Sequence, residues 1–397
     1  MNTISKWMVA ATSGLVLAAC GGDGGDKGIT ITASAGAGGK ISPETVKVDR
    51  GATQTFTITP DAGYLIDSVG GTCGGTLEGT AYTTSPINAA CTVVASFSRT
   101  FAYEWQNFGG VPVTGFLTWL DKEGAKGYRY LYDMGSGTCS SNPPPGLRCT
   151  GQQISGSLFV NDGLAPSYAY ELLPNPGNTA DFIAQANAEG AKGYQYVAWH
   201  IASDVNNISP RTSHILYRKD GGSAATYTYA AEAAGPMAVD AFLAQANARG
   251  QSGYYFYGRI GNGYPEPANL YVKNNASKAT YTYEAFEIPM TFGINVFLGE
   301  TNGKGAKGYF PMYELRSAID IPDGSHSFML YIKDQTQSAA FVFFQLSADG
   351  DQDLISQLNS YGAQGYSPWN NGLNVSKYFF RATNCSGGWL CGVPNLP

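Results

Sequence analysis

The chain has 397 residues, of which 14% are charged, and a formal net charge of −6. It is long enough for two or more domains and too sparing in Lys and Arg for the basic stripe that nucleic acid requires. Gly (51 residues) and Tyr (26) are abundant, as in turn-rich extracellular β proteins.

The first residues read as a targeting segment. Lys6 supplies a short basic region, and Trp7 to Ala19 is an apolar run shorter than the ~20 residues a membrane helix needs. The run ends Leu17-Ala18-Ala19-Cys20, which resembles a bacterial lipobox. The resemblance implies a signal peptide over 1–19 and lipidation of Cys20; an ordinary secretory signal is the alternative. Residues 20–27 are a Gly- and Asp-rich tether that cannot bury a core. Gly21 stands where an Asp is linked to inner-membrane retention, so an outer-membrane lipoprotein, periplasmic or surface-facing, is expected. No later run could span a bilayer, which leaves the lipid as the expected membrane contact.

Segment 28–98 alternates with period two. Ile29-Thr30-Ile31-Thr32, Thr45-Val46-Lys47-Val48 and Thr55-Phe56-Thr57-Ile58-Thr59 each place apolar residues on one face. Gly38-Gly39, Asp61-Ala62-Gly63 and Gly70-Gly71 punctuate them as turns. A small all-β module follows. Gly39-Lys40-Ile41-Ser42-Pro43, Gly51 to Pro60, Asp61-Ala62-Gly63-Tyr64 and Ala95-Ser96-Phe97 resemble the divergent internalin-type B-repeat. The resemblance implies a spacer or adhesive unit without catalysis.

Six cysteines remain beyond Cys20. Locality in an oxidising compartment pairs them as Cys73 with Cys91, Cys139 with Cys149, and Cys385 with Cys391. Metal binding is not expected, because Cys-x-x-Cys spacing is missing and the chain has only three histidines.

From 101 to 397 one phrase recurs five times, ending at Gly127-Tyr128, Gly193-Tyr194, Gly253-Tyr254, Gly308-Tyr309 and Gly365-Tyr366. A period of about 60 residues marks a repeat architecture. The units run about 101–166, 167–224, 225–278, 279–338 and 339–397, each predicted as β-α-β-β, so the fold class is α+β. First strands carry aromatics two apart, such as Tyr168/Tyr170 and Tyr281/Tyr283, expected to pack on the helix. The helices follow polar caps (Thr114, Asn178, Thr179, Asp351) and present stripes such as Phe182, Ile183 and Ala186. Gly124, Gly190, Gly250, Gly305 and Gly362 are expected to stop the helices in left-handed geometry, with the glycine three residues on opening the next strand. Third strands align Phe159, Tyr217, Tyr271, Tyr331 and Phe379.

The stretch Leu358-Asn359-Ser360-Tyr361-Gly362-Ala363-Gln364-Gly365-Tyr366 resembles a bacterial domain family of unknown function with the hallmark Leu-Asn-x-Leu-Gly-x-x-Gly-Trp. That resemblance implies a fold and no activity. Neighbouring units must share cores, which an open array and a closed pseudo-five-fold ring both satisfy. The strand order, circularly permuted, is similar to the five-fold α/β propeller of the amidine-modifying enzymes. Their chemistry would need a nucleophilic cysteine near the C-terminus, and Cys385 and Cys391 read instead as a disulfide-closed loop.

Candidate chemistry is thin. His200, His214 and His326 lack metal-ligand spacing. Asp320, Asp323, Asp349, Asp351 and Asp353 lack calcium-loop spacing. Glu104, Glu171 and Glu284 form an acidic column; Lys219, Lys273, Lys333 and Arg381 form a basic one. In a ring the two columns could meet in a polar cleft, and on an exposed face they would carry little energy. Trp199, Tyr264, Trp369 and Trp389 are the non-periodic aromatics offered to a ligand. No cofactor and no metal are expected. The reading is a non-catalytic binding or adhesion scaffold for protein or glycan, with a hydrolase or transferase at the pseudo-symmetry axis as the alternative.

Overall fold

A computed structural model describes residues 28–106, 113–134, 156–202, 212–234, 237–260, 264–288, 294–315, 327–345, 354–369, 378–385 and 389–391. Cys20, the Cys139/Cys149 pair, His326 and the five loop aspartates lie outside them.

The N-terminal module is two four-stranded sheets. One runs Thr45–Val48, Ile29–Ala35, Cys91–Arg99, Tyr64–Gly70; the other runs Gly39–Ser42, Thr55–Pro60, Ala81–Thr84, Gly75–Glu78. The alternating apolar residues Ile31, Ile41, Phe56, Ile58, Val93 and Phe97 meet between them and are buried. A disulfide joins Cys73 to Cys91.

The rest of the chain is α+β, five copies of one helix and one three-stranded sheet. The helices are α1 (Val113–Ala125), α2 (Thr179–Ala191), α3 (Val239–Gln251), α4 (Ile294–Gly305) and α5 (Leu354–Gly362). In every sheet the third strand lies in the middle, so the first strand is an edge. An edge exposes unpaired N–H and C=O groups and must be covered. Here the cover comes from the preceding unit. Helices α1 to α4 lie on the first strands Tyr168–Pro174, Tyr227–Ala233, Tyr281–Ile288 and Ala340–Gln345. Helix α5 lies on Ala102–Gln106, the first strand of unit one.

The contact is the same at four of the five boundaries. Asn187 Oδ1 accepts from Tyr229 N–H at 2.9 Å, and its Nδ2 donates to Tyr229 C=O at 3.1 Å. Asn247 clamps Tyr283, Asn302 clamps Phe343, and Asn359 clamps Tyr103 by the same two bonds. A carboxamide suits this because it carries a donor and an acceptor side by side. Unit one departs: Asp121 accepts from Tyr170 N–H at 3.2 Å, and an ionised carboxylate has nothing to donate.

The glycines divide their labour differently from the sequence expectation. Gly124, Gly190, Gly250, Gly305 and Gly362 lie inside the helices with ordinary φ. A Cβ on Gly250 would lie 2.2 Å from Tyr281 O, and each of the others would meet the next unit's strand carbonyl as closely. They are glycines because the strand backbone occupies the place of a side chain. The left-handed stop belongs to the second glycine: Gly127, Gly193, Gly253, Gly308 and Gly365 have φ between +84° and +91°.

A second link crosses the same boundary. Each of the first four units has a β-bulge in its second strand, between Tyr130/Tyr132, Tyr196/Ala198, Phe256/Gly258 and Pro311/Tyr313. The N–H groups of Tyr130, Tyr196 and Phe256 donate to the hydroxyls of Tyr170, Tyr229 and Tyr283 in the next unit. In the fourth unit the corresponding residue is Pro311, which has no N–H, and the partner is Phe343, which has no hydroxyl.

The N-terminal module is fastened to units one and five. Arg99 donates to Asp162 C=O at 2.8 Å and to Tyr64 Oη. Arg381 pairs with Asp67 and donates to Ser98 Oγ at 3.0 Å. Ser98 and Arg99 lie against Gly365 where Ala225, Ala279 and Ala339 lie against the equivalent glycines of units two to four. A disulfide joins Cys385 to Cys391.

Exposed Gly299, with open space around its missing Cβ, should gain about 0.5–1 kcal/mol on conversion to Ala. Gly250→Ala, in the same kind of helix, should instead lose about 1–3 kcal/mol, because overpacking against Tyr281 O outweighs propensity. Chemical denaturation of both variants checks the opposite signs. Asp121→Asn should restore the second clamp bond and stabilise by up to about 1 kcal/mol at neutral pH. Burial raises the Asp121 carboxyl pKa although the Tyr170 N–H favours the ionised form, so the wild-type fold gains stability when the carboxyl is protonated and loses it as pH rises through the folded value. The gain from Asn should therefore shrink in acid, which thermal melts at pH 7 and pH 4 compare.

Candidate functional site

The five copies differ most usefully at inward positions. The residue after each Gly-Tyr is Arg129, Gln195, Tyr255, Phe310 and Ser367; the residue before the basic column is Val160, Arg218, Val272, Ile332 and Phe380. In units four and five Phe310, Ile332 and Phe380 stand there beside Ser367, and Phe310, Phe341 and Phe380 close on one another, with Phe310 and Phe380 centroids 4.9 Å apart. In units one to three Arg129, Gln195, Arg218 and Tyr255 bring polar groups beside Val160 and Val272, and a cavity of about 820 Å³ opens there. Its wall is drawn from units one to four: Arg129, Gln195, Arg218, Asp220, Tyr255, Tyr257, Asp334 and the turns at 164–166, 220–225 and 274–279.

Both arginines of the wall are paired with carboxylates. Arg129, 3% exposed, holds Asp162, 1% exposed, through Nε at 2.9 Å and Nη2 at 2.6 Å. Burial acts to raise the Asp162 carboxyl, but the guanidinium and the Leu164 N–H together hold it below the ordinary value. Arg218 Nε donates to Asp220 Oδ1 at 2.8 Å, and Nη2 reaches Gln195 Oε1 at 3.3 Å. Burial works against the Arg218 charge, yet the neighbouring Asp220 carboxylate prevails and the Arg218 pKa rises. Gln195 Nε2 donates onward to Tyr255 Oη at 2.6 Å. Tyr257 donates its hydroxyl to Val197 C=O. Asp334 accepts from Thr336 N–H at 2.8 Å, Thr336 Oγ1 at 2.6 Å and Gln337 Nε2 at 3.0 Å. Burial lifts Tyr227 to about 12 and Tyr255 and Tyr257 well beyond their ordinary value, so these phenols stay protonated. They offer hydroxyls and ring faces, and they are poor bases.

The columns read from sequence find other partners. Lys219, Lys273, Lys333 and Arg381 lie over the Gly-Tyr rings of Tyr194, Tyr254, Tyr309 and Tyr366, 5.4–5.7 Å from the centroids. Glu104 pairs with Lys126 at 3.4 Å and Glu284 with Lys304, both at helix ends. Burial, then a hydrogen bond with the helical Glu123, raises the Glu104 carboxyl; Glu171 is raised the same way beside Glu189. Neither column contributes to the cavity wall. The two columns do not pair with each other: the column cations lie over tyrosine rings, Arg381 also pairs with Asp67, and Glu104 and Glu284 pair with Lys126 and Lys304.

Of the aromatics, Trp369 is a core residue, 1% exposed, stacked on Phe297 with its Nε1 donating to Pro311 C=O at 3.1 Å. Trp199 is 42% exposed and donates to Ser213 Oγ. Tyr264 donates to Asn175 Oδ1. The side chains of Trp389 and His200 lie outside the described residues. His214 sits on the third strand of unit two, away from the cavity wall. Among the described residues no group of His, Cys, Asp or Glu is placed to hold a metal, and no helix is long and apolar enough to cross a membrane. Sequence reasoning missed Arg129, Arg218, Gln195 and Asp334. The available signal was an arginine standing in an inward column that is otherwise Val, Val, Ile and Phe.

Residues 29–101 match the family model of the divergent InlB B-repeat domain, which covers the N-terminal module. No curated protein and no solved structure matches the chain.

The buried pair supports a prediction. Arg129→Met should cost about 3–5 kcal/mol at neutral pH, because it leaves Asp162 charged and buried without a cation. The Asp162 carboxyl is lowered in the fold, so its contribution is present above the unfolded value, ~3.9, and is lost as pH falls through the folded one. Urea melts of Arg129→Met and of wild type should accordingly converge toward acid pH.

Proposed function

We propose that this protein is a lipid-anchored envelope protein whose repeat domain binds a small polar ligand without transforming it. The observation that carries the reading is the cavity, about 820 Å³, walled by hydrogen-bonding side chains of consecutive units. That volume lies within the roughly 300–1,000 Å³ typical of small-molecule sites. The carboxylates at the wall are engaged by Arg or by turn hydroxyl and amide donors, and its tyrosines are protonated. Such a wall recognises shape and hydrogen bonds, whereas acid–base chemistry needs a group poised near neutral pH.

The five units close into a pseudo-five-fold ring in this reading. Support comes from α5, which clamps Tyr103 of unit one with the two bonds that join the other units. The B-repeat module bridges the junction of units one and five and serves as spacer. Cys20 carries the lipid and 20–27 the tether, placing the domain at the outer membrane; the lipobox-like Leu17-Ala18-Ala19-Cys20 supports this.

Two measurements test the reading. Metabolic palmitate labelling should depend on Cys20, and a Cys20→Ala protein that stays fully membrane-bound would contradict the anchor. Native mass spectrometry of the chain with a soluble cell-envelope digest should show a small-molecule adduct that Ala276→Trp, at the exposed rim, removes. New product masses in the digest would favour catalysis over binding.

A further inference from the structure

The cavity wall also restricts the chemistry of what can enter, and on the binding reading above we infer that the ligand is a neutral oligosaccharide. Three features carry this. First, the wall has no surplus cation to offer: Arg129 is held by Asp162, and Arg218 by Asp220. An anionic ligand would have to compete with a carboxylate already in place, at the full desolvation cost of the one it displaced. Second, Asp334 is 7% exposed, faces the cavity, and is satisfied by two Thr336 donors and one Gln337 donor. It can accept a further hydroxyl proton without needing a counter-ion, since a carboxylate has about four acceptor sites. Third, the fixed donors and acceptors alternate with tyrosine faces. The chain Asp220–Arg218–Gln195–Tyr255 is locked by hydrogen bonds of 2.8, 3.3 and 2.6 Å, and Tyr227, Tyr257 and Tyr281 stand beside it.

A sugar ring presents that same alternation, with hydroxyls around its edge and C–H groups on its faces. Hydroxyls can meet the locked polar chain, and C–H faces can lie on the tyrosines. Locked side chains lose little entropy on binding, which is what a flexible polyol needs from its receptor. The cavity spans contributions from four units, which fits a short oligosaccharide better than a single ring. A free amino acid or peptide would bring a carboxylate to arginines that are already paired with Asp162 and Asp220.

The test is an array displaying neutral, N-acetylated and acidic oligosaccharides alongside tripeptides, probed with the intact chain. Hits are then titrated against wild type, Ala276→Trp and Asp334→Asn. Ala276 is an exposed turn residue at the cavity, so its variant should melt like wild type and report on the site alone. The expected result is binding of one or more uncharged saccharides, weakened at least about tenfold by Ala276→Trp and measurably by Asp334→Asn. Binding confined to acidic saccharides or tripeptides, and blocked by Ala276→Trp, overturns the ligand class while leaving the cavity as a binding site. Saccharide binding that Ala276→Trp leaves unchanged overturns the location. An array with no hit overturns the inference, and an envelope-digest adduct lost in Ala276→Trp would then show that the broader binding reading survives.

Discussion

Everything in the repeat domain depends on one contact, a helix of one unit laid on the edge strand of the next. Two backbones approach so closely there that a methyl group at Gly190 would come within 2.3 Å of Tyr227 O. The i, i+3 spacing of Asn187 and Gly190 puts both on the same helix face, so the carboxamide and the bare backbone engage one strand together. A single three-stranded sheet with one helix buries too little to stand alone, and it leaves an edge open. The clamp solves both problems in one step. It satisfies the N–H and C=O of the edge residue and brings Phe182 and Tyr196 into a core shared with Tyr227 and Tyr229.

The same boundary shows how local choices stay consistent. Bulges in the second strands free N–H groups that the next unit's tyrosine hydroxyls accept, and where the chain has Pro311 the hydroxyl is dispensed with at Phe343. The N-terminal module takes part rather than hanging from the domain. Its last strand supplies the carbonyl beside Gly365 that an inter-unit linker supplies elsewhere, and Arg381 joins the tyrosine-stacked column to Asp67. Scaffold and spacer are thus fastened at the junction where unit five meets unit one.

Much of this was legible in the sequence and some was not, for physical reasons. The strand, helix, strand, strand order followed from periodicity, the B-repeat-like module from its turn and strand spacing, and the Cys73–Cys91 and Cys385–Cys391 disulfides from locality. The first glycine was misread because a helix stop and a close backbone approach both select glycine, and only the partner strand tells them apart. The role of the asparagine was hidden in the same way: the strand that Asn187 clamps lies 42 residues away on another unit. Charge columns such as Glu104 and Lys219 drew attention because they repeat. The polar cavity arises where the copies stop repeating, at Arg129, Gln195 and Arg218, so periodicity does not point to it.

That contrast defines how the molecule divides its work. The repeated residues build the frame, and its departures from repetition leave one side filled with Phe310, Phe341 and Phe380 while the other opens into a polar space. The most direct test of the frame is native-state hydrogen exchange at the clamped amides of Tyr103, Tyr229, Tyr283 and Phe343. If the fifth unit clamps the first as the others clamp their neighbours, all four exchange slowly and through the same cooperative opening. A Tyr103 amide that exchanges orders of magnitude faster than the other three would contradict the account, because it would mark a free end.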